Sequence, residues 1–229
     1  MAIGRVGTID DRVRVKTVLA SVSDKTGLDL LVRGLRDANP DLLILSTGGT
    51  HAAIAGLLGP TSSKLLRQVS DYTGQPEMQG GLVKTLDFRI YLGLLSETYN
   101  PAHQADLART GALPIDMVVA NLYPFGATVA RKDATLEDAR GNIDIGGPSM
   151  VRAAAKNFHR VAVLTDPSDY PGVLEELSGS GGTLSLATRF RLAQKAFQLT
   201  AQYDAAIAEY LAAASIEAAR GIYTIKGGD

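Results

Sequence analysis

The stretch Val15-Lys16-Thr17-Val18-Leu19-Ala20-Ser21-Val22 and the residues that follow it decide the fold class of this chain. It is a short, mostly apolar run, which is typical of a strand buried on both faces of a sheet. Residues 23–27 form a polar turn sequence, and leucine and valine then recur at helical spacing over residues 28–35. A buried strand that leads directly into an amphipathic helix predicts a parallel α/β unit.

Similar units follow along the chain. Further apolar runs predict strands at residues 41–45, 64–69, 115–120 and 161–164. From residue 184 the apolar residues keep the spacing of one long helix, and the glycine- and serine-rich residues 178–182 favour a flexible boundary before it. The sequence therefore predicts an α/β body over residues 1–182, with a parallel sheet flanked by helices. Residues 183–229 are predicted to form a C-terminal helical extension that packs on the body or lies at a subunit interface.

The composition excludes several classes of protein. The 229 residues carry a formal net charge of −1, so a strongly cationic nucleic-acid surface is not expected. Cysteine is absent and the three histidines lie far apart, so neither a thiolate nor a histidine metal site is expected. No apolar run reaches the roughly 18 residues that span a bilayer, and the N-terminus lacks a secretory hydrophobic region. These features predict a cytoplasmic protein without a metal.

Two predicted strand-to-helix turns, at residues 21–27 and 46–50, are rich in hydroxyl groups and glycine. In a parallel sheet such turns lie at the carboxyl ends of the strands, where helix N-termini direct N–H groups at anions. Helix capping by the hydroxyl groups is the alternative interpretation. Neither turn has the glycine pattern of a dinucleotide or triphosphate loop, so a phosphate monoester is favoured. The candidate phosphate-binding residues are Ser23, Lys25, Thr26, Thr47, Gly48, Gly49 and Thr50.

Other polar residues stand where a packed fold seldom needs them. A lysine lies among apolar residues, polar side chains follow the strongest predicted strand, and a carboxylate precedes a Gly-Gly-Pro helix start. Each has a structural alternative, because lysines are usually solvated, a tyrosine often belongs to the core and an aspartate often caps a helix. Composition leaves these alternatives open. The residues concerned are Lys84, Asn121, Tyr123, Asp144, Arg152 and Lys156.

Nine motifs in order cover nearly the whole chain. They are SVSDKTG (21–27), TGGT (47–50), VSDYTG (69–74), PEM (76–78), VKTL (83–86), NLYPF (121–125), IDIGG (143–147), RAAAKN (152–157) and TAQYDAAI (200–207). Together they resemble the IMP cyclohydrolase domain, the N-terminal half of the bifunctional AICAR transformylase/IMP cyclohydrolase of purine biosynthesis. The resemblance implies a methylglyoxal-synthase-like α/β fold with a helical extension.

The resemblance also implies an enzyme, formally a hydrolase of a cyclic amidine that runs in the ring-closing direction. Its substrate would be the purine ribonucleotide precursor 5-formamidoimidazole-4-carboxamide ribotide, and its products IMP and water, without a cofactor. The chain stops after the helical extension, so it would be either a stand-alone cyclohydrolase or a truncated form of the bifunctional protein. A separate transformylase would then supply the substrate. The family implies a homodimer, with neither nucleic acid nor membrane as a partner.

Individual roles are carried over from the motifs. Asp144 would accept the carboxamide proton, paired with Lys156. Lys84 would stabilise the oxyanion, Tyr123 would protonate the leaving hydroxyl, and Asn121 would orient the substrate. The pairing requires residues 142–145 to fold down beside the following helix, because Lys156 would lie about 12 Å along its axis. Further substrate-binding residues are Thr85 and Gly146, the latter through nearby main-chain N–H groups.

The sequence departs from the family pattern beside the lysine of VKTL. Leu82, Asp87, Phe88 and Tyr91 stand where the family usually has Arg, His, Pro and His. A non-catalytic domain of the same fold that senses a purine nucleotide is therefore the main alternative. Methylglyoxal synthase activity ranks last, because His51 is poorly matched to polarising a carbonyl.

Overall fold

Seven strands are found in the computed structural model, which describes residues 5–76 and 84–226. They are β1 (Arg12–Arg14), β2 (Thr17–Ser21), β3 (Leu43–Ser46), β4 (Leu66–Gln68), β5 (Met117–Ala120), β6 (Ala162–Leu164) and β7 (Thr183–Ser185). Strands β2 to β6 form a parallel sheet in the order β4-β3-β2-β5-β6. Strands β1 and β7 form a separate antiparallel pair.

Twelve α-helices surround these strands in the described part of the chain. The first six are α1 (Leu28–Ala38), α2 (Gly48–Leu58), α3 (Ser62–Leu65), α4 (Val69–Thr73), α5 (Phe88–Leu95) and α6 (Pro101–Thr110). The others are α7 (Phe125–Val129), α8 (Leu136–Gly141), α9 (Gly146–Lys156), α10 (Tyr170–Gly179), α11 (Leu186–Ala213) and α12 (Ile216–Ile222). Among residues 5–76 and 84–226, no helix combines the length and the apolar character that crossing a membrane requires.

The two faces of the parallel sheet carry two hydrophobic cores. One core packs α1, α2 and α10 against the sheet, and the other packs α5, α9 and α11 against its opposite face. Strands β5 and β6 are buried throughout, which explains their unbroken apolar sequence. The predicted parallel sheet flanked by helices is therefore confirmed.

Four of the five predicted strands are found within a few residues of their predicted positions. The prediction for residues 64–69 is only partly correct, because β4 is limited to residues 66–68. Lys64 lies in the short helix α3, and Val69 begins α4. An apolar run of this length does not distinguish a strand from a buried helical turn.

Helix α11, the main helix of the predicted extension, packs on the preceding part of the chain. Helix α11 lies against α9 and β6, with Leu192, Ala193 and Ala196 buried in the contact. The connection before it is tied to the body, since the Val15 N–H donates to Gly182 O at 3.0 Å and β7 pairs with β1. The division of the chain at residue 182 stays a prediction about its organisation.

Candidate active site

A cavity opens at the carboxyl edge of the parallel sheet, where the loops after β2, β3 and β5 meet the start of α9. Its volume is about 430 Å³, within the range of small-molecule sites. The chain order reverses between the adjacent strands β2 and β5, and ligands of open α/β sheets collect at such a switch point. The cavity is lined by eleven of the fourteen predicted site residues: Ser23, Lys25, Thr47, Gly49, Thr50, Lys84, Thr85, Asn121, Tyr123, Asp144 and Gly146.

The side chain of Asn121, which follows β5, shapes the turn after β2. Its Oδ1 accepts hydrogen bonds from the N–H groups of Ser23 (2.7 Å) and Asp24 (3.0 Å) and from the Ser23 hydroxyl (2.9 Å). Its Nδ2 donates to Asp24 O at 2.8 Å. The amide therefore fixes the first turn at the switch point. Direct contact of Asn121 with a substrate stays a prediction.

Thr50 joins the turn after β2 to the turn after β3. Its hydroxyl donates to Val22 O at 2.9 Å and accepts from the Val22 N–H at 3.0 Å, and the residue is buried. The Thr50 N–H donates to Thr47 O at 3.1 Å. Both donors of Thr50 already have acceptors in this conformation, and phosphate binding by Thr50 stays a prediction. Thr50 holds the two turns together.

The Thr26 hydroxyl is also used within its own turn. It donates to the Asp24 carboxylate at 2.7 Å, as does the Thr26 N–H at 2.9 Å. These hydrogen bonds lower the pKa of Asp24, the hydroxyl having the largest effect. Thr26 does not line the cavity. Helix capping is not its role either, since Gly27, at a φ of 69°, is the N-cap of α1.

The start of α2 provides donors for an anion. The first N–H groups of this helix, on Gly48 and Gly49, have no main-chain acceptor within the described residues. A Cβ on Gly48 would lie 2.8 Å from Lys84 Nζ, so this glycine, though not a lining residue, leaves room for the ammonium group. N–H groups and an ammonium at one helix start favour a bound anion. Within residues 5–76 and 84–226, no cluster of three or more His, Cys, Asp or Glu could hold a metal ion.

The Asp144 carboxylate lies over the N-terminus of α9. Its Oδ1 accepts a hydrogen bond from the Gly147 N–H at 2.8 Å. A Cβ on Gly147 would lie 2.9 Å from both Asp144 Cγ and Leu122 Cδ2, so only glycine allows this approach. A Cβ on Gly146 would lie 3.3 Å from the Thr85 hydroxyl. The Gly-Gly pair thus brings Asp144 and Thr85 against the helix start.

The predicted pairing of Asp144 with Lys156 is wrong. Lys156 is the exposed last residue of α9 and does not line the cavity. Helix α9 runs from Gly146 to Lys156, about 15 Å at 1.5 Å per residue. The loop before α9 does not fold down beside it, because Asp144 is bonded at the opposite end of the helix. A catalytic role for Lys156 stays a prediction.

Tyr123 lies at the rim of the cavity and is 49% exposed. The alternative that Tyr123 is a core aromatic residue is therefore wrong. Its neighbour Phe125 fills the core position instead, with 1% exposure. The phenol at residue 123 is consequently accessible to a ligand in the cavity.

Asp87 and Arg89, next to VKTL, have local structural roles. Asp87 caps α5 by accepting a hydrogen bond from the Arg89 N–H at 2.7 Å. The Arg89 guanidinium donates to Tyr72 O at 3.0 Å and does not line the cavity. Phe88 and Tyr91 belong to α5. The predicted family positions Glu77, Met78, Leu82 and Val83 lie outside the described residues.

Sequence reasoning assigned no role to Tyr203 of α11, although the structure brings its hydroxyl to the loop that carries Asp144. The Asp144 N–H donates to Tyr203 Oη at 2.8 Å, and Tyr203 Oη donates to Asn142 O at 3.2 Å. The signal in the sequence was the TAQYDAAI motif itself, which lies far from the other site motifs along the chain.

Comparisons with known proteins agree with the observed fold. A family model described as "MGS-like domain" matches residues 28–149, more than half of the chain. A model described as "AICARFT/IMPCHase bienzyme" matches residues 154–227. The crystal structure of ForH is 34% identical with a TM-score of 0.69, over 86% of this chain and 98% of ForH.

A curated relative is longer than this chain. The bifunctional purine biosynthesis protein PurH of Neisseria meningitidis serogroup A is 47% identical over 207 residues. The alignment covers 90% of this chain and 38% of PurH, so the chain spans well under half the length of this relative.

Proposed function

The chain belongs to the family of MGS-like domains, and from this membership we propose that it is an IMP cyclohydrolase of purine biosynthesis. The match of residues 154–227 to the AICARFT/IMPCHase model and the 47% identity to PurH support this function within the broader fold family. The observation that carries the proposal is the convergence of the SVSDKTG, TGGT, VKTL, NLYPF and IDIGG motifs on one cavity.

The substrate enters as a phosphate monoester. Its 5′-phosphate lies at the start of α2, against the N–H groups of Gly48 and Gly49 and within reach of Lys25. The turn held by Asn121 and Thr50 forms the other wall of this subsite. The imidazole with its carboxamide and formamide groups then faces the start of α9.

Ring closure forms a bond between the carboxamide nitrogen and the formyl carbon. Asp144 accepts the proton of the attacking nitrogen, and the cationic Lys84 stabilises the negative charge on the formyl oxygen. Protonation of this oxyanion from solvent gives a hydroxyl group. Tyr123 then protonates the hydroxyl as the C–O bond breaks, while the former formamide nitrogen releases its proton to solvent and forms the C=N bond of the purine ring. Water and IMP leave. Holding the two reacting groups in contact supplies much of the rate, because an amide is a weak nucleophile and a formamide a weak electrophile.

The predicted partners belong to the same proposal. A transformylase supplies the formylated ribotide, either as a separate protein or as a further domain. The homodimer and the cytoplasmic location also remain parts of the proposal.

Ring closure is tested by the change in ultraviolet absorbance after 5-formamidoimidazole-4-carboxamide ribotide is added to the protein without metal or folate. We expect turnover, and a loss of about 100-fold or more in Lys84→Ala and in Asp144→Asn. Lys64→Ala is the matched control, because Lys64 is an exposed lysine paired with Asp41 at 2.8 Å, away from the cavity.

The same assay also tests the nucleotide-sensing alternative and the role of Lys156. Tight binding of IMP without turnover would contradict the catalytic proposal and favour the nucleotide-sensing alternative. Lys156→Ala tests the role of this lysine: unchanged turnover follows from its position at the far end of α9, whereas a loss as large as that of Lys84→Ala would restore the predicted catalytic role.

A further inference from the structure

The Tyr203 hydroxyl of helix α11 contacts the loop that carries Asp144 in the candidate active site. The site itself is built from loops of the α/β body, and α11 belongs to the helical extension. Tyr203 is 9% exposed, and its hydroxyl lies beside the loop formed by residues 142–145. The contact therefore joins two parts of the chain that are about sixty residues apart.

The Tyr203 hydroxyl binds this loop at two points. It accepts a hydrogen bond from the Asp144 N–H at 2.8 Å and donates one to Asn142 O at 3.2 Å. On the other side of the same residue, the Asp144 carboxylate accepts from the Gly147 N–H. Within the described residues these are the hydrogen bonds of Asp144, so loss of the Tyr203 hydroxyl removes the one that holds its main chain.

The Tyr203 ring also packs against the loop that carries Tyr123. Its centroid lies 6.2 Å from that of Phe125, at an interplanar angle of 70°. Tyr210, two helical turns further along α11, packs on the same Phe125 ring at 5.8 Å and 88°. Phe125 lies two residues after Tyr123, so one aromatic cluster supports the loop of the phenol as well as the loop of the carboxylate.

We propose that Tyr203 is a positioning residue for ring closure: its hydroxyl fixes the main chain of Asp144 so that the carboxylate faces the substrate. The proposal rests on the proposed function. The hydrogen bonds and the ring contact of Tyr203 within the described residues are with Asp144, Asn142 and Phe125, not with the turns that hold the phosphate. The hydroxyl is therefore expected to affect the chemical step more than substrate binding.

Tyr203→Phe and Tyr210→Phe form a matched pair of variants. Each removes one hydroxyl and keeps a ring of the same size against Phe125. Within the described residues the Tyr210 hydroxyl has no hydrogen-bond partner, whereas the Tyr203 hydroxyl has two. We expect kcat to fall about 10-fold in Tyr203→Phe with KM changed by less than about twofold, since displacement of a reacting group by a fraction of an ångström is costly. Tyr210→Phe should keep the kcat of the unmodified protein.

Hydrogen–deuterium exchange provides a readout that does not depend on turnover. The amide of Asp144 should exchange faster in Tyr203→Phe than in Tyr210→Phe, because its acceptor is lost. A purely structural role would instead lower the melting temperature, with kcat per folded molecule unchanged.

The outcomes separate this inference from the proposed function. Absence of turnover in the unmodified protein overturns the proposed function, and the exchange experiment still tests whether Tyr203 holds the loop. Turnover in the unmodified protein with equal kcat in the two variants overturns the positioning role. Equal protection of the Asp144 amide in the two variants overturns it as well.

Discussion

At each end of β5, a side-chain oxygen accepts hydrogen bonds from main-chain N–H groups, but the surroundings of the two side chains differ. At the amino end, Asp116 Oδ2 accepts hydrogen bonds from the N–H groups of Lys16 (2.9 Å) and Thr17 (3.0 Å), at the start of β2. At the carboxyl end, Asn121 Oδ1 accepts from two N–H groups of the turn that follows β2. Each side chain thus links the same two strands, one at each edge of the sheet.

The difference lies in what surrounds each link. Asp116 is buried and paired with the buried Arg160 guanidinium at 3.0 Å. Burial raises the pKa of Asp116, while Arg160 and the two N–H groups act in the opposite direction. Asn121 is a neutral amide that lines an open cavity. A charged, buried link stabilises the amino edge of the sheet, and a neutral link at the carboxyl edge lines the candidate active site.

Arg160→Met tests the link at the amino edge of the sheet and should cause the largest loss of stability. It leaves the Asp116 carboxylate buried without its cation, so the free energy of unfolding should fall by about 3–5 kcal/mol. Chemical denaturation measures this loss. The control is Arg109→Met, whose ion pair with Asp106 is exposed and should be worth less than about 1 kcal/mol. Equal losses in the two variants would contradict the distinction between the edges.

Gly147→Ala tests the position of Asp144 at the carboxyl edge of the sheet. The added Cβ displaces Asp144 or Leu122, so turnover should fall about 100-fold with only a small loss of stability. Steady-state kinetics and thermal unfolding measure the two effects. Gly172→Ala in α10 is the control, because nothing lies within 4 Å of its Cβ and its backbone needs no positive φ. Full activity in Gly147→Ala would show that the position of Asp144 is unimportant.

Asn121→Ala removes the link at the carboxyl edge, so its loss of stability can be compared with that of Arg160→Met at the amino edge. The N–H groups of Ser23 and Asp24 lose their acceptor but lie where water can replace it, so unfolding should become easier by only about 1 kcal/mol. Affinity for IMP, measured by calorimetry, should fall because the first turn loses its shape. A loss of stability as large as that of Arg160→Met would mean that the carboxyl edge is also a structural link.

The smallest expected effect is on the pKa of Asp24, in the turn that follows β2. The Thr26 hydroxyl and N–H lower the pKa of Asp24 below its ordinary value of 3.8. The resulting stability is present above about pH 3.8 and is lost as the pH falls through the lower pKa of the folded state. In an NMR titration, Thr26→Val should raise the pKa of Asp24 while the fold is retained. An unchanged pKa would contradict the hydrogen bond.

Local pattern predicted most of the fold. Unbroken apolar runs identified β5 and β6 because strands buried on both faces need no polar residues. The strand prediction for residues 64–69 was only partly correct, since three residues of strand between two short helices leave no distinct period. The Gly-Gly pairs lie where the side chains of Lys84 and Asp144 approach the main chain closely, which the sequence did not predict.

What the sequence could not predict depends on contacts between distant residues. Arg189 lies in the first turn of α11, yet its guanidinium is buried and donates to carbonyl groups of residues 10, 11, 158, 159 and 184. Asp116 stands within an apolar run, and nothing in that run predicted its hydrogen bonds to the start of β2. The same limit explains the Asp144–Lys156 error, because the direction of the loop before α9 is set by Tyr203 from another part of the chain.

A crystal structure of the protein with IMP would test most directly whether the cavity at the carboxyl edge of the sheet is the site of ring closure. The phosphate should contact the N–H groups of Gly48 and Gly49, and the purine should lie between Asp144 and Tyr123. A nucleotide bound instead in the larger groove of about 1,060 Å³ beside Lys195 of α11, with the carboxyl-edge cavity empty, would contradict this account.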